Sequence, residues 1–151
     1  MLDSNIFKGK TVLITGHTGF KGSWLSIWLL NLGANVIGAS IDVVSSPSNF
    51  SVSMIGERLD DRRIDVTDLD SVELLIQEVQ PDFIFHLAAQ ALVRLSYDKP
   101  IETMMTNAMG SANILDASRA LDKKVVIIMI TSDKAYDNVE WVWGYRETDR
   151  L

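Results

Sequence analysis

The sequence predicts an α/β protein, a doubly wound parallel sheet with helices on both faces. Three observations carry this: short apolar segments with no polar alternation, longer amphipathic segments between them, and a glycine-rich junction where the first of each meet. Residues 10–15, KTVLIT, are rich in β-branched side chains and bounded by Gly9 and Gly16, as a buried strand should be. In residues 22–32, Leu25, Trp28, Leu29 and Leu32 recur at i, i+3, i+4 and i+7, and Gly33 closes the predicted helix. A second strand is expected over 35–41, ending at Asp42, and the Ser- and Pro-containing stretch 43–61 has a loop composition that leaves room for no more than a short turn or helix. Residues 63–66 are expected to form a third strand. Thr67-Asp68-Leu69-Asp70 then offers a cap to a helix whose apolar stripe is Leu69, Val72, Leu75, Ile76 and Val79. Pro81-Asp82 ends that helix, and 83–89 predicts a fourth strand running into a small-residue loop. Pro100 opens a helix reaching about residue 121, with Met104, Ala108, Ala112 and Leu115 on one face. Residues 125–130 complete the set as a fifth strand.

A chain of 151 residues, 47% hydrophobic and 23% charged, buries one substantial core and is expected to be one domain. Its net charge of -6, without runs of like charge, excludes a basic track for nucleic acid or anionic lipid. There is no cysteine, and two histidines are too few to suggest zinc, so neither a metal nor a disulfide is expected. The N-terminus lacks the apolar core of a signal peptide, and no apolar run reaches the ~18 to 20 residues of a membrane span. The expectation is a soluble, cytoplasmic protein.

Gly16-His17-Thr18-Gly19-Phe20-Lys21-Gly22 places three glycines between the first strand and the first helix. The first permits a tight turn, the second admits a pyrophosphate to the backbone, and the third lets helix and strand pack closely, while the helix start offers N–H donors. Asp42 follows the second strand, 26 residues after Gly16, where a carboxylate accepts from the adenosine ribose hydroxyls and repels a 2′-phosphate. NAD is therefore favoured over NADP. Asp65 either accepts from an adenine amino group or plays an ordinary N-cap or loop role. His86 reads as a buried strand residue rather than a catalytic one.

GHTGFKG after the first strand, HLAAQ after the fourth, Thr106-Asn107 on the next helix and TSDKAYD after the fifth resemble the extended short-chain dehydrogenase/reductase family over essentially the whole chain. Within it, GHTGFKGSWLSIWL, HLAAQALVRLSY and TSDKAYDNVEWVWGYRETD are similar to the nucleotide-sugar 4,6-dehydratases that act on CDP-glucose, on routes to deoxysugars of bacterial surface polysaccharides. The resemblance implies a Rossmann-type sheet that binds NAD, truncated before the substrate-binding part. It implies that Gly16, Gly19, Phe20, Lys21 and Gly22 surround the pyrophosphate, Asp42 the ribose, and Asp65 and Val66 the adenine. Leu87, Ala88, Ala89, Thr106 and Thr131 would line the rest of the dinucleotide. Gln90, Arg94 and Ser96 lie where the substrate pocket opens, although Arg94 also suits a surface ion pair.

The implied chemistry is an internal redox cycle: oxidation at the sugar C4, loss of water across C5 and C6, and return of the hydride to C6. By analogy Ser132 would bond the C4 oxygen, Asp133 would protonate the leaving hydroxyl and Lys134 would take the C5 proton, where related dehydratases carry Thr-Asp-Glu. A neutral lysine beside a protonated aspartate requires their pKa values to move toward each other, which burial beneath substrate and nicotinamide promotes. The family's YxxxK pair does not occur: Tyr97, Tyr136 and Tyr145 are followed four residues on by Ile101, Glu140 and Asp149. The expectation is an N-terminal, cofactor-binding portion, inactive alone, binding NAD weakly through its ADP part. The full-length protein is expected to be a homo-oligomer. Another dehydratase or epimerase of the family, or a non-catalytic NAD sensor, are the alternative readings, and Trp141 and Trp143 read as packing rather than as a substrate platform.

Overall fold

The computed structural model describes residues 6–43 and 45–151. Five parallel strands lie in the order β3-β2-β1-β4-β5: β1 Thr11–Thr15, β2 Asn35–Ser40, β3 Asp60–Arg63, β4 Phe83–His86 and β5 Val126–Met129. The order reverses between β1 and β4, which places a switch point beside the C-terminal end of β1. Helix α1, Phe20–Asn31, covers one face, and α3, Leu69–Val79, packs with α6, Gly110–Ser118, on the other.

Strand β1 shows why these segments lack polar alternation. Val12 and Ile14 join Leu29, Ala34 and Val36 beneath α1, whereas Leu13 joins Ile76, Ile84 and Ile114 on the opposite face, and all three β1 residues are fully buried. Phe7 extends the first cluster, its ring edge-on to Phe83 at 5.0 Å. Below the sheet, Asp82 accepts from the Thr11 N–H at 3.0 Å and meets Lys123 Nζ at 3.1 Å, tying β1 to the start of β5.

Two expectations are corrected. The third strand lies over Asp60–Arg63, three residues earlier than expected, because the pairing runs Ile37↔Asp60 to Ser40↔Arg63. This polar edge is held by Arg62, which bridges Asp60 at 2.8 Å and Glu78 at 2.7 Å, and charged side chains also blunt an edge against further pairing. Within 43–61 the room left for a short turn or helix is taken by helix α2, Asn49–Val52, and a 3-10 turn, Ile55–Glu57, before β3 begins at Asp60; Val44 lies outside the described residues.

The long helix expected from Pro100 is a continuous helical run, but it comprises α5, Pro100–Met104, a π-helical turn, Met105–Met109, and α6; a short α4, Val93–Asp98, precedes it. Its apolar stripe of Met104, Ala108, Ala112 and Leu115 faces outward. The sheet-facing side is instead Gly110, Asn113, Ile114 and Ala117. Close approach selects that side: a Cβ on Gly110 would lie 2.6 Å from Val66 Cγ2.

Candidate dinucleotide site

All five strands point the same way, so the segments that follow their C-terminal ends collect on one edge of the sheet. That edge carries the glycine turn after β1, Asp42 after β2, Asp65 and Val66 after β3, residues 87–90 after β4 and residues 131–134 after β5. Open α/β sheets bind ligands outside this edge, near the switch point.

The turn is built for close backbone approach. Gly16 has φ +74°, and a Cβ there would lie 2.8 Å from both Ala88 N and Leu87 C, so only glycine lets the loop after β4 pass. A Cβ on Gly22 would stand 2.2 Å from Gly16 O, so the turn and the helix start touch backbone to backbone. Gly19 occupies the N-cap of α1 with no side-chain cap and no acidic residue in the first turn. The contrast with α3 is direct, since Asp68 caps that helix by accepting from Ser71 N–H. The leading N–H groups of α1 therefore point outward, without acceptors in their own helix and with the positive end of the helix dipole behind them. That is the donor set a pyrophosphate requires, and the residues fit the dinucleotide. Phe20 and Lys21 are exposed at this end.

Around the turn, the Thr18 hydroxyl donates to Asp42 O at 2.7 Å, fixing the exposed Asp42 beside the glycine loop. Asp65 Oδ1 accepts from both Thr67 N and Thr67 Oγ1 at 2.9 Å, an Asx turn that orients this exposed carboxylate after β3. Val66 is buried, and its carbonyl accepts from Asn113 Nδ2 at 2.9 Å. On the other flank Thr15 Oγ1 accepts from Ala88 N at 3.2 Å and meets His86 Nδ1 at 2.7 Å. His86 is a buried strand residue, its second ring nitrogen 3.1 Å from Ser111 Oγ, and burial pushes its pKa below the ordinary histidine value. Leu87 and Ala88 are half-buried and Ala89 is exposed; Thr106, in the π-helical turn, is half-buried.

Residues expected at a substrate pocket divide. The Gln90 side chain is engaged locally, donating to Leu92 O and meeting Thr103 Oγ1, both at 3.1 Å, and accepting from Leu92 N at 2.6 Å. The Ser96 hydroxyl donates to Val93 O within α4 at 2.6 Å, while Arg94 is exposed on the same helix. After β5, Thr131, Ser132 and Lys134 are exposed at the sheet edge, and Lys134 N donates to Ser132 Oγ at 3.3 Å. Asp133 opens a 3-10 turn, Asp133–Ala135; its side chain lies outside the described part. Tyr136 stacks on Tyr145 at 5.1 Å with Trp141 tilted against Tyr145, and Trp141 and Trp143 are both exposed.

Two clusters escaped the sequence reading. His17 is wholly buried between Ser40 and Asp61, and Asn107 clasps the backbone of Gln90, accepting from its N–H at 2.7 Å and donating to its carbonyl at 3.0 Å. A signal for the first existed in Gly38, an isolated glycine inside a strand, which marks a close approach: a Cβ there would lie 2.3 Å from the His17 ring.

Known proteins supply an independent comparison. Residues 13–151 match the family model described as GDP-mannose 4,6 dehydratase. A CDP-glucose 4,6-dehydratase of Salmonella typhimurium is 46% identical over all of this chain and 42% of its own. Among solved structures, an epimerase from Methanothermobacter thermautotrophicus superposes with TM-score 0.80 at 26% identity over 97% of this chain and 42% of its own. A UDP-glucose 4-epimerase of Thermus thermophilus, solved in complex with NAD, gives TM-score 0.64 at 31% identity over 72% of this chain and 33% of its own. The chain thus spans about two-fifths of the length of the curated relatives it matches.

Proposed function

The chain belongs to the GDP-mannose 4,6-dehydratase family, and from that premise we propose that residues 1–151 are the NAD-binding domain of a nucleotide-sugar 4,6-dehydratase acting on CDP-glucose. The observation that carries this reading is the placement of residues 131–134 after β5 on the same sheet edge as the uncapped start of α1 and Asp42. The sugar-specific part of the reading draws on the similarity to the Salmonella enzyme.

In this reading the N–H groups at the start of α1 hold the pyrophosphate and Asp42 accepts from the adenosine ribose. Asp65 and Val66 lie at the adenine, and Leu87, Ala88, Ala89, Thr106 and Thr131 line the remainder. NAD held by these residues would supply the acceptor for the hydride leaving the sugar C4 and the donor of the same hydride to C6, with no net redox change. Ser132 bonds the C4 oxygen, Lys134 removes the C5 proton and Asp133 delivers a proton to the hydroxyl leaving C6. All three jobs require placement near one sugar face, which consecutive residues in a tight turn at a strand end supply. Gln90, through its bonds to Leu92 and Thr103, shapes the loop leading into α4, the helix from which Arg94 and Ser96 approach the sugar nucleotide.

Assay of the full-length gene product with CDP-glucose and NAD tests the reaction. The 4-keto-6-deoxy product is expected from the parent and not from Lys134→Ala; a folded, NAD-bound parent without turnover would overturn the substrate assignment. Titration calorimetry of the 151-residue chain tests the cofactor. NAD and ADP-ribose are expected to bind with similar affinity and NADP at least about tenfold more weakly, the scale of one lost charged contact. Equal NAD and NADP affinities would remove the role given to Asp42.

A further inference from the structure

His17, the second residue of the glycine turn, has 0% of its surface exposed and touches three elements, β2, β3 and α2. Its Nε2 lies 2.8 Å from Asp61 Oδ1 on β3, and its Nδ1 lies 3.0 Å from Ser40 Oγ at the end of β2. Its ring meets Phe50 of α2 edge-on at 5.3 Å and fills the hollow over Gly38.

The hydrogen-bond directions follow from the partners. An ionised carboxylate only accepts, so Nε2 carries the proton and donates to Asp61; Nδ1 is then an acceptor and the Ser40 hydroxyl must donate to it. With its hydrogen so committed, Ser40 Oγ presents a lone pair to the Thr18 N–H, 3.5 Å away. Burial pushes the His17 pKa down, against the opposing pull of Asp61, and the neutral ring is the form this chain of bonds needs. Asp61 is itself held by Arg63, whose guanidinium donates to both carboxylate oxygens. Donation thus runs from the Thr18 backbone through Ser40 and His17 to Asp61, where the Arg63 guanidinium donates from the other side. Thr18 lies between Gly16, whose N–H donates to Ala39 O at 2.8 Å, and the N-cap Gly19. Its orientation decides where the first N–H groups of α1 point.

We propose that His17 is the positioning residue of the phosphate-binding turn: its neutral imidazole, through Ser40 Oγ, couples the Thr18 backbone to Asp61 and keeps the start of α1 aimed at a pyrophosphate. The inference rests on the dinucleotide reading above and adds to it a named device that tunes pyrophosphate affinity without touching the ligand. A residue acting only in packing would weaken the fold and every ligand alike. A positioning residue acts on the phosphate-bearing ligand selectively.

The test uses the 151-residue chain with two probes, ADP-ribose and adenosine, and two variants. Ser40→Ala removes one hydroxyl and leaves the imidazole packed; His17→Phe keeps a ring against Phe50 and removes both polar links. Calorimetry with ADP-ribose and NMR titration with adenosine are read beside the thermal midpoint. For Ser40→Ala, ADP-ribose is expected to bind about five- to tenfold more weakly, the scale of one hydrogen bond, with adenosine unchanged. His17→Phe should weaken ADP-ribose further, and if that variant does not fold, Ser40→Ala decides. Parent-like ADP-ribose affinity in Ser40→Ala, or an equal loss for both probes, would overturn the inference alone. Absence of ADP-ribose binding by the parent would overturn the dinucleotide reading and this inference with it.

Discussion

Substituting alanine at one of the turn glycines has a sharply defined cost. At Gly22 the added methyl would sit 2.2 Å from Gly16 O and 2.8 Å from His17 Cα, both backbone atoms that move only if the whole helix start moves. Gly22→Ala is therefore expected to lower stability by roughly 1–3 kcal/mol or more, as overpacking does, and to abolish measurable ADP-ribose binding. Gly144 is the control, since a Cβ there meets nothing within 4 Å; Gly144→Ala should lie within about 0.5 kcal/mol of the parent. Urea midpoints of the two variants decide the matter, and a Gly22→Ala as stable as Gly144→Ala would contradict the packing account. The glycine spacing was legible because its cause is local: backbone must pass backbone, and no other residue allows it. The partners of His17 were not legible, because Ser40 and Asp61 reach it only once β2 and β3 lie side by side. Gly38 showed that something approached β2 but not what.

The helical run after β4 shows which information periodicity lacks. Its outward stripe is the more apolar one, and the side that packs against the sheet is made of small residues, so hydrophobicity alone pointed away from the packed face. The π-helical turn at Met105–Met109 is equally silent in the sequence, yet it carries Asn107, whose amide makes two bonds to the Gln90 backbone. These bonds anchor the loop after β4, which also contacts Gly16. Asn107→Ala should release it, and the lost pair is worth about 1–2 kcal/mol in a partly exposed setting. Amide exchange at Gln90 is expected to accelerate about tenfold or more while β1 amides keep their protection. Unchanged exchange at Gln90 would mean that packing of the loop, not Asn107, holds it. The third strand was misplaced for a related reason: Asp60–Arg63 carries no apolar signal, and its partners, β2 and Glu78 of α3, are set by the assembled sheet.

For the molecule as a whole, both histidines lie at the centre of the sheet edge, and burial lowers the pKa of each below the ordinary 6.5. The unfolded chain takes up protons at these rings near pH 6.5, and the folded chain only at lower pH. Their contribution to stability is therefore complete above about 6.5 and declines as pH falls below it toward the folded-state values. A second decline follows in acid. Asp82 is held below the usual carboxylate range first by the Thr11 N–H and then by Lys123, and Asp60 and Glu78 are held down by Arg62, so their stabilisation is present above their unfolded values, about 4, and is lost as pH falls through the folded ones. Asp60 and Glu78 are surface groups and add little, whereas Asp82 ties the starts of β1 and β5 together and dominates this second stage. Urea midpoints measured from pH 8 to pH 3 should thus be level above about pH 7, slope downward as pH falls below about 6.5, and fall more steeply below about 4. His86→Asn retains polar contacts and cannot titrate in this range, so it should flatten part of the first slope whatever it costs in absolute stability. A midpoint independent of pH between 8 and 5 in the parent would show that the two imidazoles take up protons in the folded state as readily as in the unfolded chain, and the neutral His17 on which the aim of the phosphate-binding turn depends would fall with it.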